Sequence, residues 1–170
     1  MLKLDSRDIE ILKVLSREAR ISKAELASRI NLSPSPCWER LNRLEKAGII
    51  RSYRADISLK PIAASVTVFV TVELERHRSQ AFQMFERTVK TREEIVGCWA
   101  IGGGFDYLLQ IVSRDVDSYQ RLMDTLLDEP LGLARYYSYI VTKPVKEQAP
   151  LPFDLLLAEW TDENAGAGGE

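Results

Sequence analysis

The chain has 170 residues, 23 of them Lys or Arg and 25 Asp or Glu, for a net charge of −2, and 45% of its residues are hydrophobic. That suits one ordinary domain or two small ones with packed cores. It excludes a membrane span, since no apolar run approaches the ~18 residues such a span needs. The N-terminus, Met1-Leu2-Lys3-Leu4-Asp5, has no signal-peptide core, which argues for the cytoplasm. The two cysteines, Cys37 and Cys98, lie far apart and read as buried thiols rather than a disulfide.

Charge is unevenly spread. Residues 1–56 hold 12 basic and 8 acidic side chains, a net of +4, and residues 57–170 hold 11 and 17, a net of −6. A basic front and an acidic back suggest one module that faces phosphate and one that does not.

Asp5 is a good N-cap for a first helix, with Asp8 at N3 and Leu4 placed to staple onto Ile9. Ile9, Ile11, Leu12 and Leu15 give it a broad apolar face to about Arg17. Ser22-Lys23-Ala24-Glu25 has the S-x-x-E spacing of a capping box and opens a second helix to about Ile30. After the turn at Asn31-Leu32, residues 33–48 read as a third helix. Pro36 disfavours the α region at Ser35, so Ser35 is the expected N-cap and Pro36 the first helical residue. Gly48 stands where a helix ends in a left-handed residue.

In that third helix Cys37, Leu41 and Leu44 share one face, while Pro36, Glu39, Arg40, Arg43 and Lys46 fall opposite. The spacing is that of a helix-turn-helix with a recognition helix for the major groove. Arg40 and Arg43 are the expected base or phosphate contacts. Glu39 suits a cytosine amino group or orients Arg43, and the hydroxyls of Ser33 and Ser35 can touch phosphate. Trp38 reads as a half-buried packing residue. Three capped helices also occur in bundles that bind no DNA. Beyond Gly48, residues 49–56 look like a strand or small wing offering Arg51 and Arg54 to the backbone, and residues 57–64 read as a linker broken at Pro61.

The back module starts with a strand over 65–74, in which Val66, Val68, Val70, Val72 and Leu74 alternate with Thr67, Phe69, Thr71 and Glu73. A helix over 80–91 and strands over 95–101 and 105–112 follow, the strands joined by Gly102-Gly103-Gly104. Then come a helix over 115–129, capped by Asp115 with Val116, Tyr119, Leu122, Leu126 and Leu127 inward, and a strand over 133–142. The order βαββαβ is the ferredoxin-like split βαβ unit. With both helices on one face, the other sheet face stays bare, which predicts self-association. The triple glycine lacks the helix a phosphate loop needs and reads as a hairpin turn, or as a place where backbone N–H groups approach a small ligand beside Asp106. In the tail, Phe153, Leu156, Leu157 and Trp160 can form an apolar stripe against a partner, or a loosely docked end; residues 165–170 read as disordered.

Catalytic chemistry has no candidates. The single histidine, His77, has no ligand partner at metal spacing, no nucleophile–base pair stands out, and no metal or cofactor is expected.

Leu4-Asp5, Asp8, Ile11-Leu12, Ala19-Arg20-Ile21-Ser22, Leu26-Ala27, the run Leu32-Ser33-Pro34-Ser35-Pro36-Cys37-Trp38-Glu39-Arg40-Leu41, Arg43 through Ile50 and Gly103-Gly104-Phe105-Asp106-Tyr107-Leu108 together resemble the Lrp/AsnC (feast/famine) family of prokaryotic transcription factors. The resemblance implies an α+β protein: an N-terminal winged helix-turn-helix over 1–56, the 57–64 linker, a ferredoxin-like effector-binding and oligomerisation (RAM) domain over 65–146, and a 147–170 tail outside the family pattern. It implies palindromic duplex DNA as partner and dimers assembling up to octamers. An amino acid or derivative would be the effector and amino-acid or related nitrogen metabolism the regulated process. By position, Gly103 and Asp106 match the family's effector turn, with Phe105 and Tyr107 in register, Ile101 and Trp99 before it, and Ser138 and Ile140 on the neighbouring wall. Gly104, where many relatives carry a polar residue, and Trp99 are departures that bear on the effector. The alternatives are an architectural DNA-binding protein without a ligand and a small-molecule enzyme on the same fold.

Overall fold

The computed structural model describes residues 2–75, 78–147 and 149–159. The expectations for His77, Trp160 and the 165–170 end lie outside these. The chain divides into two compact units, Met1–Asp56 with Lys146–Glu170, and Ile57–Val145.

In the first unit three helices surround one apolar cluster: α1 (Ser6–Arg17), α2 (Lys23–Arg29) and α3 (Pro34–Lys46). Asp5 and Asp8 form the reciprocal capping box of α1, each side chain accepting the other's backbone N–H at 3.0 Å. Ser22 accepts the Glu25 N–H at 3.1 Å, but the Glu25 carboxylate turns to Arg29 instead of completing the second box. Ile11, Leu26, Ala27, Ile30, Cys37, Leu41 and Leu44 are buried together. Arg7 Nη1 donates to the Ile30 carbonyl at 2.7 Å and so ties α1 to the end of α2. The tight turn that follows uses a left-handed Asn31, φ +54°.

The third helix starts two residues earlier than its prolines suggest. Ser33 is the N-cap, without a side-chain cap bond, and Pro34 is N1. Pro36 falls at N3, where its missing N–H would have had no partner in the helix anyway, so the steric bias against helical Ser35 is overcome. At the other end Gly48 (φ +70°) donates to the Glu45 carbonyl at 2.9 Å and Ile49 to the Leu44 carbonyl at 3.0 Å, a Schellman closure. The expected wing strand does not form, as residues 51–59 have no regular structure. Among the described residues of this unit there is no second strand to take up its ladder bonds. Tyr53 instead donates to Glu45 at 2.8 Å, and burial with that carboxylate pushes its phenol up to about 12.

The second unit is a four-stranded antiparallel sheet, β1 (Val66–Leu74), β2 (Ile95–Ala100), β3 (Tyr107–Ser113) and β4 (Leu133–Ile140), in the order β2-β3-β1-β4. Helices α4 (Ser79–Thr91) and α5 (Val116–Asp128) complete the βαββαβ order. Val68, Val70, Val72 and Leu74 alternate into the core, where they meet Leu109, Ile111, Phe85, Val89, Leu122, Met123 and Leu126. Asp115 caps α5 by accepting the Ser118 N–H at 2.7 Å, and the Ser118 contacts hold its carboxyl at about 2. Met123 takes the inward place expected of Val116 and Leu127, which are exposed; the core face of α5 is centred a little further round the helix.

The tail returns to the first unit. Its short helix α6 (Phe153–Leu156) places Asp154 2.8 Å from Lys13 on α1. Of the expected apolar stripe, Phe153 and Leu157 are half-buried and Leu156 faces solvent.

Candidate functional site

The outer surface of α3 differs from its expected cationic face. Arg40 and Arg43 turn back toward α1. Arg40 Nη1 donates to Asp5 Oδ2 at 2.6 Å and to Asp8 Oδ1 at 2.9 Å, and Arg43 Nη2 donates to Asp8 Oδ2 at 2.5 Å. The Asp8 side chain is fully buried. A buried carboxylate needs cations, so these two arginines first neutralise Asp8 and clamp α3 to α1. Burial pushes the Asp5 carboxyl up, but the Arg40 bond and the Asp8 N–H outweigh it and hold the carboxyl below its ordinary value. The expectation that Arg40 points freely outward is therefore corrected, whereas Arg43 keeps 42% of its side chain exposed while it pairs with Asp8.

What does face solvent is the column Ser35, Glu39, Lys46, with Asn42 beside it half-exposed. These positions stand opposite Cys37, Leu41 and Leu44 on the helix. Glu39, Asn42, Arg43 and Lys46 line a shallow hollow on this surface. Ser33 and Pro36 are exposed at the helix start. Pro34 and Pro36 have no N–H, so the first turn offers an anion only the N–H groups of Ser33 and Ser35 beside their hydroxyls. Trp38 lies at the margin of the buried face, its ring capped by the Lys23 ammonium 3.0 Å from the centroid. Arg51 is exposed on the segment without regular structure.

In the second unit the hairpin 101–106 is pinned to β1. Asp106 donates its N–H to the Val72 carbonyl at 2.8 Å, accepts the Leu74 N–H on Oδ2 at 2.8 Å, and its carbonyl accepts the Ile101 N–H at 2.9 Å. This carboxylate thus holds the end of β1, where the pairing with β4 shifts register. Of the three glycines only Gly103, φ +123°, requires its residue type; a Cβ on Gly102 or Gly104 would meet nothing.

The sheet divides the expected effector residues. Trp99 pairs in register with Leu108, and Phe105 stacks edge-on against Tyr137 at 5.5 Å, both on the face without helices. Ser138 sits opposite core-facing Val70 and bonds the Tyr119 hydroxyl beneath α5, and Ile140 sits opposite core-facing Val68. Strand alternation therefore puts Ser138 and Ile140 on the helix side, away from Trp99 and Phe105. The residues of β4 that do share the open face are Arg135, Tyr137 and Tyr139; alternation groups them, and the register with β1 decides which face they take. Tyr137 and Tyr139 are about half exposed, at 50% and 55%. The Arg135 guanidinium lies 5.2 Å over the Phe105 ring and pairs with Glu73. Trp99 lies flat along its strand, and a Cβ on Gly97 would overlap its ring.

Among the described residues no cluster of three His, Cys, Asp or Glu side chains could hold a metal, and no helix is long and apolar enough to cross a membrane. Cys37 and Cys98 are both free, with burial pushing each thiol up.

Comparison with known proteins decides the family. A winged helix-turn-helix DNA-binding model matches residues 4–51 and an Lrp/AsnC ligand-binding domain model matches residues 67–151. The transcriptional regulatory protein DoeX of Halomonas elongata is 47% identical over 145 residues, covering 85% of this chain and 92% of that protein. The chain belongs to the Lrp/AsnC family of transcriptional regulators.

The leucine-responsive regulatory protein of Escherichia coli K12 is 40% identical over 145 residues, 85% of this chain and 88% of that protein. A transcriptional regulator of Neisseria meningitidis solved as a complex with L-Met is 37% identical, with TM-score 0.81, covering 91% of this chain and 99% of that one. As an Lrp/AsnC regulator the chain carries a DNA-binding helix-turn-helix ahead of a ligand-binding domain, and its four-stranded sheet with two helices is the RAM fold of the family.

Proposed function

We propose that this Lrp/AsnC regulator binds palindromic operator DNA through α3 as a homodimer or higher homo-oligomer, up to an octamer, and that an amino acid or amino-acid-derived effector bound in the RAM unit changes its DNA affinity or assembly. On this reading residues 1–56 are the DNA-binding domain, 57–64 the linker, 65–146 the sensor and 147–170 a tail. The protein works by binding rather than catalysis, in the cytoplasm, on genes of amino-acid or related nitrogen metabolism. DNA is met by Ser33, Ser35, Pro36, Glu39, Lys46 and Arg51, with Arg40 and Arg43 setting the angle of the helix. The effector contacts come from the turn around Gly103, Gly104 and Asp106 with Ile101, and from Trp99 and Phe105 on the open face.

The observation that carries the reading is the exposed polar column of α3 in the same chain as a sheet face left bare by both helices. A single recognition helix with few contacts reads DNA weakly, and pairing two chains multiplies that affinity without new contacts. The relatives that are a leucine-responsive regulator and an L-Met complex support an amino-acid effector. The test is a thermal-shift and fluorescence-anisotropy screen of the twenty amino acids against the full chain with and without duplex DNA. At a hundredfold excess over Kd a ligand stabilises by about 2.7 kcal/mol. The expected result is a shift with at least one amino acid and a change in DNA affinity with the same one. Silence from all twenty would contradict the amino-acid effector and leave the DNA-binding half standing.

A further inference from the structure

The geometry points to Asn42 and Glu39 as the residues of α3 that read base identity. This rests on the DNA-binding reading above and assigns base reading within it. Asp8 is buried and takes Arg40 and Arg43 as its cations, and Arg40 also serves Asp5. For Arg40 to reach a base it would have to abandon two carboxylates, while Arg43, held to Asp8 through Nη2 and 42% exposed, stands at the edge of the outer face. On the line opposite the buried face stand Ser35, Glu39, Asn42 and Lys46, spaced by four, three and four residues. That spacing makes one line along the helix, about 16 Å long at 1.5 Å per residue. It matches roughly five base steps along a groove.

Their chemistry differs along the line. The Asn42 amide has both a donor and an acceptor and can bridge adenine N6 and N7. The Glu39 carboxylate only accepts, and in the major groove the base that presents a donor without a neighbouring acceptor is cytosine, through its amino group. Glu39 would also repel phosphate, so it favours the groove floor over the backbone. Lys46 carries a charge without directional pairing and suits phosphate, and Ser35 with its N–H stands at the end where the helix meets the backbone. Asn42 and Glu39 are one helical turn apart, so the two bases they read are adjacent or nearly so.

The experiment is selection of bound sites by the full-length protein from a randomised duplex library, followed by anisotropy on single-base variants of the selected duplex at fixed salt. The wild type is expected to prefer the selected base by about ten- to a hundredfold at each position read. Asn42→Ala should flatten the preference at one A·T pair, and Glu39→Gln at one neighbouring C·G pair. Neither variant should change the slope of affinity against salt, whereas Lys46→Ala should lower that slope by about one. Asn42→Ala and Glu39→Gln proteins that keep the wild-type preference at every position would overturn the inference alone. A wild type that selects no sequence would overturn the DNA-binding reading and this inference together.

Discussion

The Asp8 carboxylate organises the DNA-binding unit through three partners: the Asp5 N–H at the helix start it helps to cap, Arg40 and Arg43. Its burial makes the two sides of the pair unequal. Removing Asp8 frees two arginines that can rehydrate, because their side chains are 27% and 42% exposed. Removing the arginines strands a charge in the interior. Arg40→Ala combined with Arg43→Ala should therefore destabilise by about 3–5 kcal/mol, and adding Asp8→Ala to that variant should restore part of the loss. Urea unfolding of the full chain measures both; an unchanged midpoint in the double variant would mean that the clamp holds nothing. Acid should act on the same cluster. The Asp5 carboxyl is lowered from its ordinary 3.8, so the stability it contributes is complete above that value and is lost as pH falls through the lower folded value. None of this clamp is visible in spacing. Asp8 reads from sequence as a capping residue, which it is, but its partners lie 32 and 35 residues away and are set by how α1 crosses α3.

Elements with local punctuation are legible from the chain alone. The Asp5 and Ser22 caps, the Gly48 stop and the alternation of β1 each rest on residues within a few positions of one another, so the sequence carries them directly. The start of α3 does not follow its nearest rule, because two prolines compete and the first turn tolerates both. The wing depends on a partner strand that local sequence does not supply. The effector residues on β4 follow from alternation only once the register with β1 is known, which is why Ser138 and Ile140 stand on the far side of the sheet from Trp99. Gly48 offers the element-scale test. Its φ of +70° is left-handed and a Cβ there meets no neighbour, so Gly48→Ala isolates backbone strain. It should cost about 1 kcal/mol and fray the last turn of α3. Circular dichroism with thermal unfolding reads this out, and a variant as stable as the parent would remove the Schellman closure from the account.

At the scale of the whole molecule, the helical unit and the sheet unit divide the work. The first presents α3, and the second presents an aromatic sheet face, with Trp99, Phe105, Tyr137 and Tyr139, suited to pairing with a second copy. In the proposed dimer, two chains joined in this way would read two half-sites whose separation is set by the geometry of the pair. The most direct measurement is the affinity of the full-length protein for a selected duplex carrying both half-sites, against the same duplex with one half-site scrambled, for the wild type and for Tyr137→Glu. The account predicts that the wild type loses about a hundredfold or more on losing a half-site, and that Tyr137→Glu binds both duplexes alike, at the weaker level. Equal wild-type affinity for the two duplexes would contradict it.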